Sequence, residues 1–350
     1  MKNSQKYVDF ILEELKTLMA IDSPTGYTKE AIAWIKGEYE AMGYHPQITQ
    51  KGGLLVQLSA GVPEDEQGGL LIETHTDTLG AMVAEVKANG RLRLTPLGGL
   101  NANNTEAENC VVITRDGTRY EGCFQLKDAS IHVNGDYSAT ARTFDSMEMV
   151  LDEKAFTKEE TKKLGIETGD VVCFETRTRI TPSGYIKSRF LDDKLSVAIL
   201  LGYAKYLKEE SVRLFRPVYQ HVTVYEEVGH GGSASVPAGV TEVLAVDMGC
   251  VGEGLECREH QVSICVKDGG GPYNYEMTGQ LIAAAKKNGI DYAADVYPHY
   301  GSDAGATLRG GADIRHALIG AGVYASHGYE RSHVDGVRAT LSLLSAFLEQ

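Results

Sequence analysis

Residues 69–81, GLLIETHTDTLGA, decide how this chain is organised. The stretch opens on an apolar run, typical of a buried strand, and becomes polar at His75 and Asp77. The same change occurs in VTVYEEVG, before Glu226, and in VLAVDMG, before Asp247. Because the carboxyl ends of strands in an open α/β sheet border one crevice, we expect these polar side chains to converge there.

The elements around this stretch indicate an α/β fold with an insertion. Residues 81–183 contain short β-rich runs separated by turns such as Asn89-Gly90, which favours a small β-barrel or sandwich. The rest alternates between helix and strand, so we predict a mixed, mostly parallel sheet flanked by helices over 1–80 and 184–350. Helices are expected near 5–20, 193–208, 274–288, 303–310 and 333–348, and strands near 217–226, 243–247, 260–266, 291–297 and 313–320.

Composition and charge exclude several classes of partner. The 350 residues carry a net charge of −14, which argues against nucleic acid or an anionic membrane surface as the main partner. The six cysteines form no CxxC pair, which is typical of reduced thiols in a cytosolic protein. The first residues do not resemble a signal peptide and no apolar run reaches membrane-spanning length, so we expect a cytoplasmic location.

The polar residues at the strand ends have the chemistry of a hydrolytic metal site. Imidazoles and carboxylates are the usual ligands of zinc, and this many acids favours two metals that share a bridging carboxylate. Each motif alone has an ordinary explanation: LDDK, with Asp192 and Asp193, could simply cap a helix. The pair Glu226 and Glu227 could form an exposed acidic turn, and an isolated histidine such as His333 is more often structural than ligating.

Taken together, the motifs resemble one known family. HTDTLGA, LDDK, EEVG, VDMG, YGSDAGA and ERSHVDGV occur in the order seen in the M42 metallo-aminopeptidases, which include glutamyl and tetrahedral aminopeptidases. The resemblance runs nearly end to end and is closest to a subgroup whose genes accompany synthesis of a glutamine-derived osmoprotectant. It implies a zinc-peptidase-like fold and an aminopeptidase that releases N-terminal residues from short peptides.

The resemblance also implies two divalent metal ions per chain, zinc first, with cobalt or manganese as alternatives. Asp192 would bridge the two ions. His75 and Asp247 would complete one site, and Glu227 and His333 would complete the other.

Further roles follow from the same resemblance. Glu226 would activate a metal-bound water as the general base, and Asp77 would orient His75. The peptide bond from Asp192 to Asp193 is expected to be cis. Ser302 and Asp303, in YPHYGSDAGA, are the candidates for binding substrate.

The inserted domain has no predicted chemistry, so we expect it to mediate the contacts of a homo-oligomer. The family resemblance implies dimers that assemble into a hollow tetrahedral dodecamer. Three alternative functions stay open. The same metals would serve a deacylase or amidase acting on a modified amino acid or a dipeptide amide. A catalytically silent assembly protein could keep the fold. Paired carboxylates could also cleave sugars, although the histidines would then be unexplained.

Overall fold

The computed structural model describes residues 4–59, 62 and 68–349. It divides into two compact units, one built from the chain up to Asp77 and from Arg177 onward, and one from Thr78 to Thr176. The second unit therefore begins three residues before, and ends seven residues before, the 81–183 expected from the sequence.

The helices follow the apolar periodicity of the sequence. In α1, for example, Tyr7, Ile11, Leu15 and Leu18 fall on one buried face, as their spacing predicts. Among the described residues the helices are α1 (Ser4–Met19), α2 (Lys29–Ala41), α3 (Lys158–Lys163), α4 (Leu191–Glu209), α5 (Tyr275–Asn288), α6 (Asp303–Arg309) and α7 (Val334–Leu348).

Thirteen strands of the described chain form one large sheet in the first unit. Its central strands β12 (Val218–Thr223), β3 (Gly69–His75), β13 (Val240–Val246) and β18 (Arg315–Tyr324) are neighbours in that order and run parallel, whereas its outer pairings are mostly antiparallel. This confirms the mixed, mostly parallel sheet. The strands are β1 (Gln47–Ile48), β2 (Leu54–Gln57), β3 (Gly69–His75), β10 (Arg179–Ile180), β11 (Tyr185–Ser188), β12 (Val218–Thr223), β13 (Val240–Val246), β14 (Gly249–Val251), β15 (Val262–Asp268), β16 (Gly271–Pro272), β17 (Tyr292–Val296), β18 (Arg315–Tyr324) and β19 (Glu330–His333).

The second unit contains a closed antiparallel barrel, in agreement with the sequence. Its strand order is β4-β5-β8-β7-β6-β9, so every strand has a partner on both sides. Closure leaves the barrel no free edge that could pair with another chain. The strands are β4 (Gly80–Val86), β5 (Leu92–Leu97), β6 (Glu108–Ile113), β7 (Arg119–Leu126), β8 (Met147–Leu151) and β9 (Val171–Phe174).

Helix α4 crosses the core of the first unit. Its residues 191–204 are all buried, because the helix contacts β3 and β18 as well as α1 and α7. The helix begins irregularly: Asp192 and Asp193 have non-helical backbone angles, and the peptide bond between them is cis, as the sequence resemblance implied. No helix of the described chain is both long and apolar enough to cross a membrane.

Candidate active site

Three neighbouring parallel strands bring their following residues to one edge of the sheet. His75 is the last residue of β3 and lies opposite Thr223, the last residue of β12. Strand β13 is the neighbour of β3 on the side opposite β12, and Asp247 directly follows β13. The convergence expected from the sequence is therefore present in the structure, and Glu226 and Glu227 follow β12 in a short 3-10 turn.

The first ligand group consists of His75, Asp192 and Asp247. One candidate ligand atom from each side chain lies within 4.8 Å of those of the other two, and all three residues are buried. His75 Nε2 is 3.2 Å from Asp192 Oδ1. The other ring nitrogen, Nδ1, is 2.8 Å from the backbone oxygen of Asp77, and donating to that oxygen leaves Nε2 free to bind a metal.

The second ligand group consists of Asp192, Glu227 and His327, again with candidate atoms within 4.8 Å of one another. His327 Nε2 is 3.5 Å from Asp192 Oδ2 and 3.6 Å from Glu227 Oε2. Asp192 thus belongs to both groups and directs one oxygen toward each histidine. This is the arrangement that a bridging carboxylate needs.

The placement of His333 in the second group is corrected by the structure. Its Nδ1 accepts a hydrogen bond from the backbone N–H of Asp335 and so caps α7. Its Nε2 is 2.9 Å from the Ser183 oxygen, and its ring packs against Tyr185 and His260. Both ring nitrogens are engaged outside the two ligand groups, and His327 occupies the position that the resemblance had assigned to His333.

A turn before β19 brings His327 to the site. His327 has a left-handed backbone conformation, with φ of 62°, and its N–H donates to Glu330 Oε1 at 3.0 Å. The other oxygen of Glu330 accepts the N–H of Asp192 at 3.1 Å. The buried Glu330 therefore links His327 to the bridging residue, and an acid three residues after His327 was the signal available in the sequence.

Asp77 contacts the site differently from the expectation. Its Oδ1 is 3.7 Å from His75 Nδ1, beyond hydrogen-bond distance, and accepts the backbone N–H of Glu226 at 3.1 Å instead. Its Oδ2 accepts the hydroxyl of Thr25 at 2.7 Å. Asp77 orients His75 through its backbone oxygen, while its carboxylate holds the backbone of Glu226.

A cavity of about 430 Å³ opens beside these acids. Neither Ser302 nor Asp303 lines it, although the preceding residues His299, Tyr300 and Gly301 do. Ser302 is buried and its hydroxyl is paired with Tyr273 at 2.8 Å. Both oxygens of Asp303 accept hydrogen bonds from the protein itself, so the structure does not place these two side chains where they would contact a substrate.

Comparison with known proteins identifies the family. The family model described as M42 glutamyl aminopeptidase matches residues 53–343, most of the chain. The chain belongs to the M42 family. It is also 41% identical over 338 residues to YhfE of Bacillus subtilis (strain 168), an aminopeptidase by name, with 97% of each chain covered. This M42 protein is therefore a peptide hydrolase of the aminopeptidase type, and M42 peptidases are metal-dependent.

A more distant sequence relative and two solved structures are also similar to this chain. The M42 chain is 23% identical over 224 residues to the glutamyl aminopeptidase of Lactococcus lactis subsp. cremoris, which covers 64% of this chain and 61% of that one. The TET aminopeptidase from the marine sediment archaeon Thaumarchaeota archaeon SCGC AB-539-E09 superposes with a TM-score of 0.86 at 19% identity, covering 98% and 96% of the two chains. The TET1 peptidase of Pyrococcus horikoshii gives 0.85 at 22% identity, covering 97% and 99%.

Burial raises the pKa of several carboxyl groups in the M42 site. Burial, followed by the charge of Asp192, raises the pKa of Asp247 to about 7, and burial raises the pKa of Glu226 and Glu227 well above the usual range. Burial also opposes ionisation of Asp192, but hydrogen bonds from the site histidines hold its pKa below the usual range. The hydrogen bond to Asp192 in turn raises the pKa of His327 to about 10.

The donor set fits divalent cations. Two histidines face a larger number of buried acids, and burying so many carboxylates together is costly without added positive charge. Among the described side chains, Glu227 Oε1 and Asp193 Oδ1 are buried with no hydrogen-bond partner. Glu227 is a member of the second ligand group, and its other oxygen, Oε2, is the one 3.6 Å from His327 Nε2. A cation held by this group would supply the partner that such a desolvated oxygen lacks.

Proposed function

We propose that this protein releases N-terminal residues from short peptides with two divalent metal ions. His75 and Asp247 would hold one ion, Glu227 and His327 the other, and Asp192 would bridge them. The observation that carries this proposal is the division of the two Asp192 oxygens between the two ligand groups. Imidazole and carboxylate donors suit zinc, cobalt or manganese.

Glu226 is the proposed proton carrier. Its Oε2 is 3.7 Å from His75 Nε2, so the carboxylate borders the ligand groups, and it also lines the cavity. When bound, the metals lower the pKa of water and polarise the scissile carbonyl. Glu226 then accepts a proton from the attacking water and returns it to the leaving amine nitrogen. Asp77 keeps the base in place by holding its backbone N–H.

Replacing the base tests this mechanism. Glu226→Gln keeps the shape of the side chain but removes its basicity, so kcat should fall about 10²- to 10⁴-fold while metal content stays unchanged. Glu253→Gln, at an exposed acid outside the site, is the matched control and should leave kcat intact. A Glu226→Gln enzyme with wild-type turnover would refute the assignment of the base.

The cavity wall points to a neutral N-terminal side chain. Beyond the acids, the lining includes Met248, Cys250, His299 and Tyr300, and no Lys or Arg occurs among its described residues. An acidic N-terminal side chain would therefore meet no lysine or arginine among the described residues of the cavity wall. We expect leucyl- and alanyl-anilides to be cleaved with higher kcat/KM than the glutamyl-anilide. N-acyl dipeptide amides in the same panel test the amidase alternative.

We also propose that the protein forms a homo-oligomer through the inserted unit. The Pyrococcus horikoshii TET1 peptidase can assemble into a tetrahedron or a large octahedral shell. In this chain, Ile131 and Val133 lie two residues apart between β7 and β8 and are 63% and 77% exposed. Light scattering after size exclusion should give a mass of at least a dimer, and Ile131→Ser with Val133→Ser should reduce it. A wild-type monomer would contradict the proposal.

A further inference from the structure

The segment that carries both site glutamates has an irregular backbone. We call residues 223–232 the glutamate loop. Tyr225 and Gly229 have positive φ values of 72° and 86°, on either side of the 3-10 turn that holds Glu226 and Glu227. Residues 228–230 are exposed, and the ring of His230 stacks on Tyr225 of the same loop, with centroids 5.1 Å apart. The loop is therefore attached to the rest of the protein at its two ends and through the Asp77 carboxylate, which accepts the backbone N–H of Glu226.

A single buried carboxylate joins both ends of the glutamate loop. Asp303, the first residue of α6, is 2% exposed. Its Oδ1 accepts the backbone N–H of Gly232 at 2.6 Å, at the end of the loop. Its Oδ2 accepts the hydroxyl of Thr223, at the start of the loop. Because both bonds go to an acid in a desolvated place, they are stronger than bonds to a neutral acceptor.

Two glycines make this close approach possible. A Cβ on Gly231 would overlap Asp303 Oδ1. A Cβ on Gly232 would lie 2.6 Å from the Asp303 backbone oxygen and 2.7 Å from Glu73 Oε2. Any side chain at either position would push the loop away from α6. The Gly-Gly pair in the sequence HGGS is thus accounted for by the contact with Asp303.

The remaining polar groups at the end of the glutamate loop are also engaged. Thr307, one turn after Asp303, places its hydroxyl 2.9 Å from the Gly232 oxygen. Lys51 Nζ donates to the Gly231 oxygen at 2.8 Å and to the oxygen of His230. The end of the loop is therefore fixed from two directions, whereas its start depends on the Thr223 hydroxyl and strand pairing.

We propose that Asp303 and Thr223 are positioning residues that set the conformation of the glutamate loop. This rests on the proposed function, in which Glu226 is the base and Glu227 a ligand. Neither Asp303 nor Thr223 lines the cavity beside the site acids. They act by joining the two ends of the loop, so that the glutamates reach their positions without reorganising during each turnover.

A pair of substitutions at Thr223 separates the hydroxyl from the packing. Thr223→Val keeps the volume and branching of the side chain but removes its donor, whereas Thr223→Ser keeps the donor and loses a methyl group. At saturating metal and well below the unfolding temperature, Thr223→Val should lower kcat about 10- to 100-fold, with KM within about threefold. Thr223→Ser should stay within about threefold of wild type in both constants. Asp313→Asn, at an exposed acid just after α6, is the control.

Hydrogen exchange gives a readout that does not depend on activity. In Asp303→Ala, amides of residues 224–232 should exchange at least about tenfold faster than in wild type, because the bond to Gly232 is lost. Thr223→Val should accelerate exchange in the same peptide, and Thr223→Ser should not. Adding Thr223→Val to Asp303→Ala should have little further effect on kcat, since both act through one carboxylate.

Three results would overturn the inference. The first is a Thr223→Ser enzyme that loses as much kcat as Thr223→Val, which would assign the effect to packing. The second is wild-type exchange of the glutamate loop in Asp303→Ala, and the third is full additivity of the two substitutions. Failure of the proposed function is recognised separately: Glu226→Gln would then keep its turnover, while the exchange rates would still decide whether Asp303 holds the loop.

Discussion

Replacing His327 by alanine should remove one of two metal ions, whereas the same change at His333 should leave both. His327 Nε2 lies between two carboxylates, 3.5 Å from Asp192 Oδ2 and 3.6 Å from Glu227 Oε2. Its removal leaves the second ligand group with two side chains, one of them shared with the first group. The ring of His333 instead contacts Ser183 and Asp335.

The expected magnitude follows from the number of ligands. Zinc sites with four protein ligands contribute about 10–16 kcal/mol, or about 3 kcal/mol for each ligand. Losing one therefore weakens binding by about 100-fold. The first group keeps all its ligands, so metal content should fall from two ions per chain to one. His333→Ala removes a helix cap, which costs about 1 kcal/mol of folding stability and no metal.

Metal analysis after dialysis against a defined free zinc concentration measures this directly. The concentration should lie about tenfold above the wild-type dissociation constant of the weaker site, so that a 100-fold loss empties it. Activity should fall with the metal in His327→Ala, and the urea midpoint should fall without loss of metal in His333→Ala. Loss of metal from His333→Ala with full occupancy in His327→Ala would refute the assignment.

Two further predictions concern stability. A Cβ on Gly320 would overlap the backbone oxygen of Asp247, so Gly320→Ala should lower the urea midpoint strongly. A Cβ on Gly279, in α5, meets nothing within 4 Å, so Gly279→Ala should instead raise the free energy of unfolding by up to about 1 kcal/mol. A similar effect of both changes would show that the overlap is not decisive. Burial, followed by the charge of Glu38, raises the pKa of Glu14 to about 7. Since the unfolded value is about 4.3, the folded state binds more protons between these values and its stability falls as pH rises through that window. Glu14→Gln should therefore stabilise the protein at pH 8 and much less at pH 5; an equal gain at both would contradict the shift.

Most of the framework could be predicted because it depends on local patterns. The α5 and α7 helices, expected over 274–288 and 333–348, form over Tyr275–Asn288 and Val334–Leu348. Their apolar residues recur with the helical period, and this period does not depend on distant contacts. His75 and Asp247 come together for a similarly general reason: each ends or follows a parallel strand, and neighbouring parallel strands end at the same edge of the sheet.

The details of the site depended on contacts between distant residues. The carboxylate of Asp303, expected to bind substrate, is occupied by Thr223 and Gly232, 80 and 71 residues away in the chain. Asp77 was expected to hold His75 by its carboxylate, yet that group binds the N–H of Glu226, 149 residues later. A sequence pattern shows which groups are polar, but it does not show which donor and which acceptor are hydrogen-bonded in the folded chain.

The α/β sheet, the inserted barrel and the strand-end acids with His75 could be predicted from the sequence, because periodicity and strand direction are properties of short segments. The choice between His327 and His333 required the three-dimensional contacts. The two histidines are six residues apart, and each is a plausible ligand by residue type. The left-handed turn at His327 and the hydrogen bonds of Glu330 to His327 and Asp192 aim the first ring at the acids. The position of His333 at the end of β19 aims the second ring at α7, because it caps that helix.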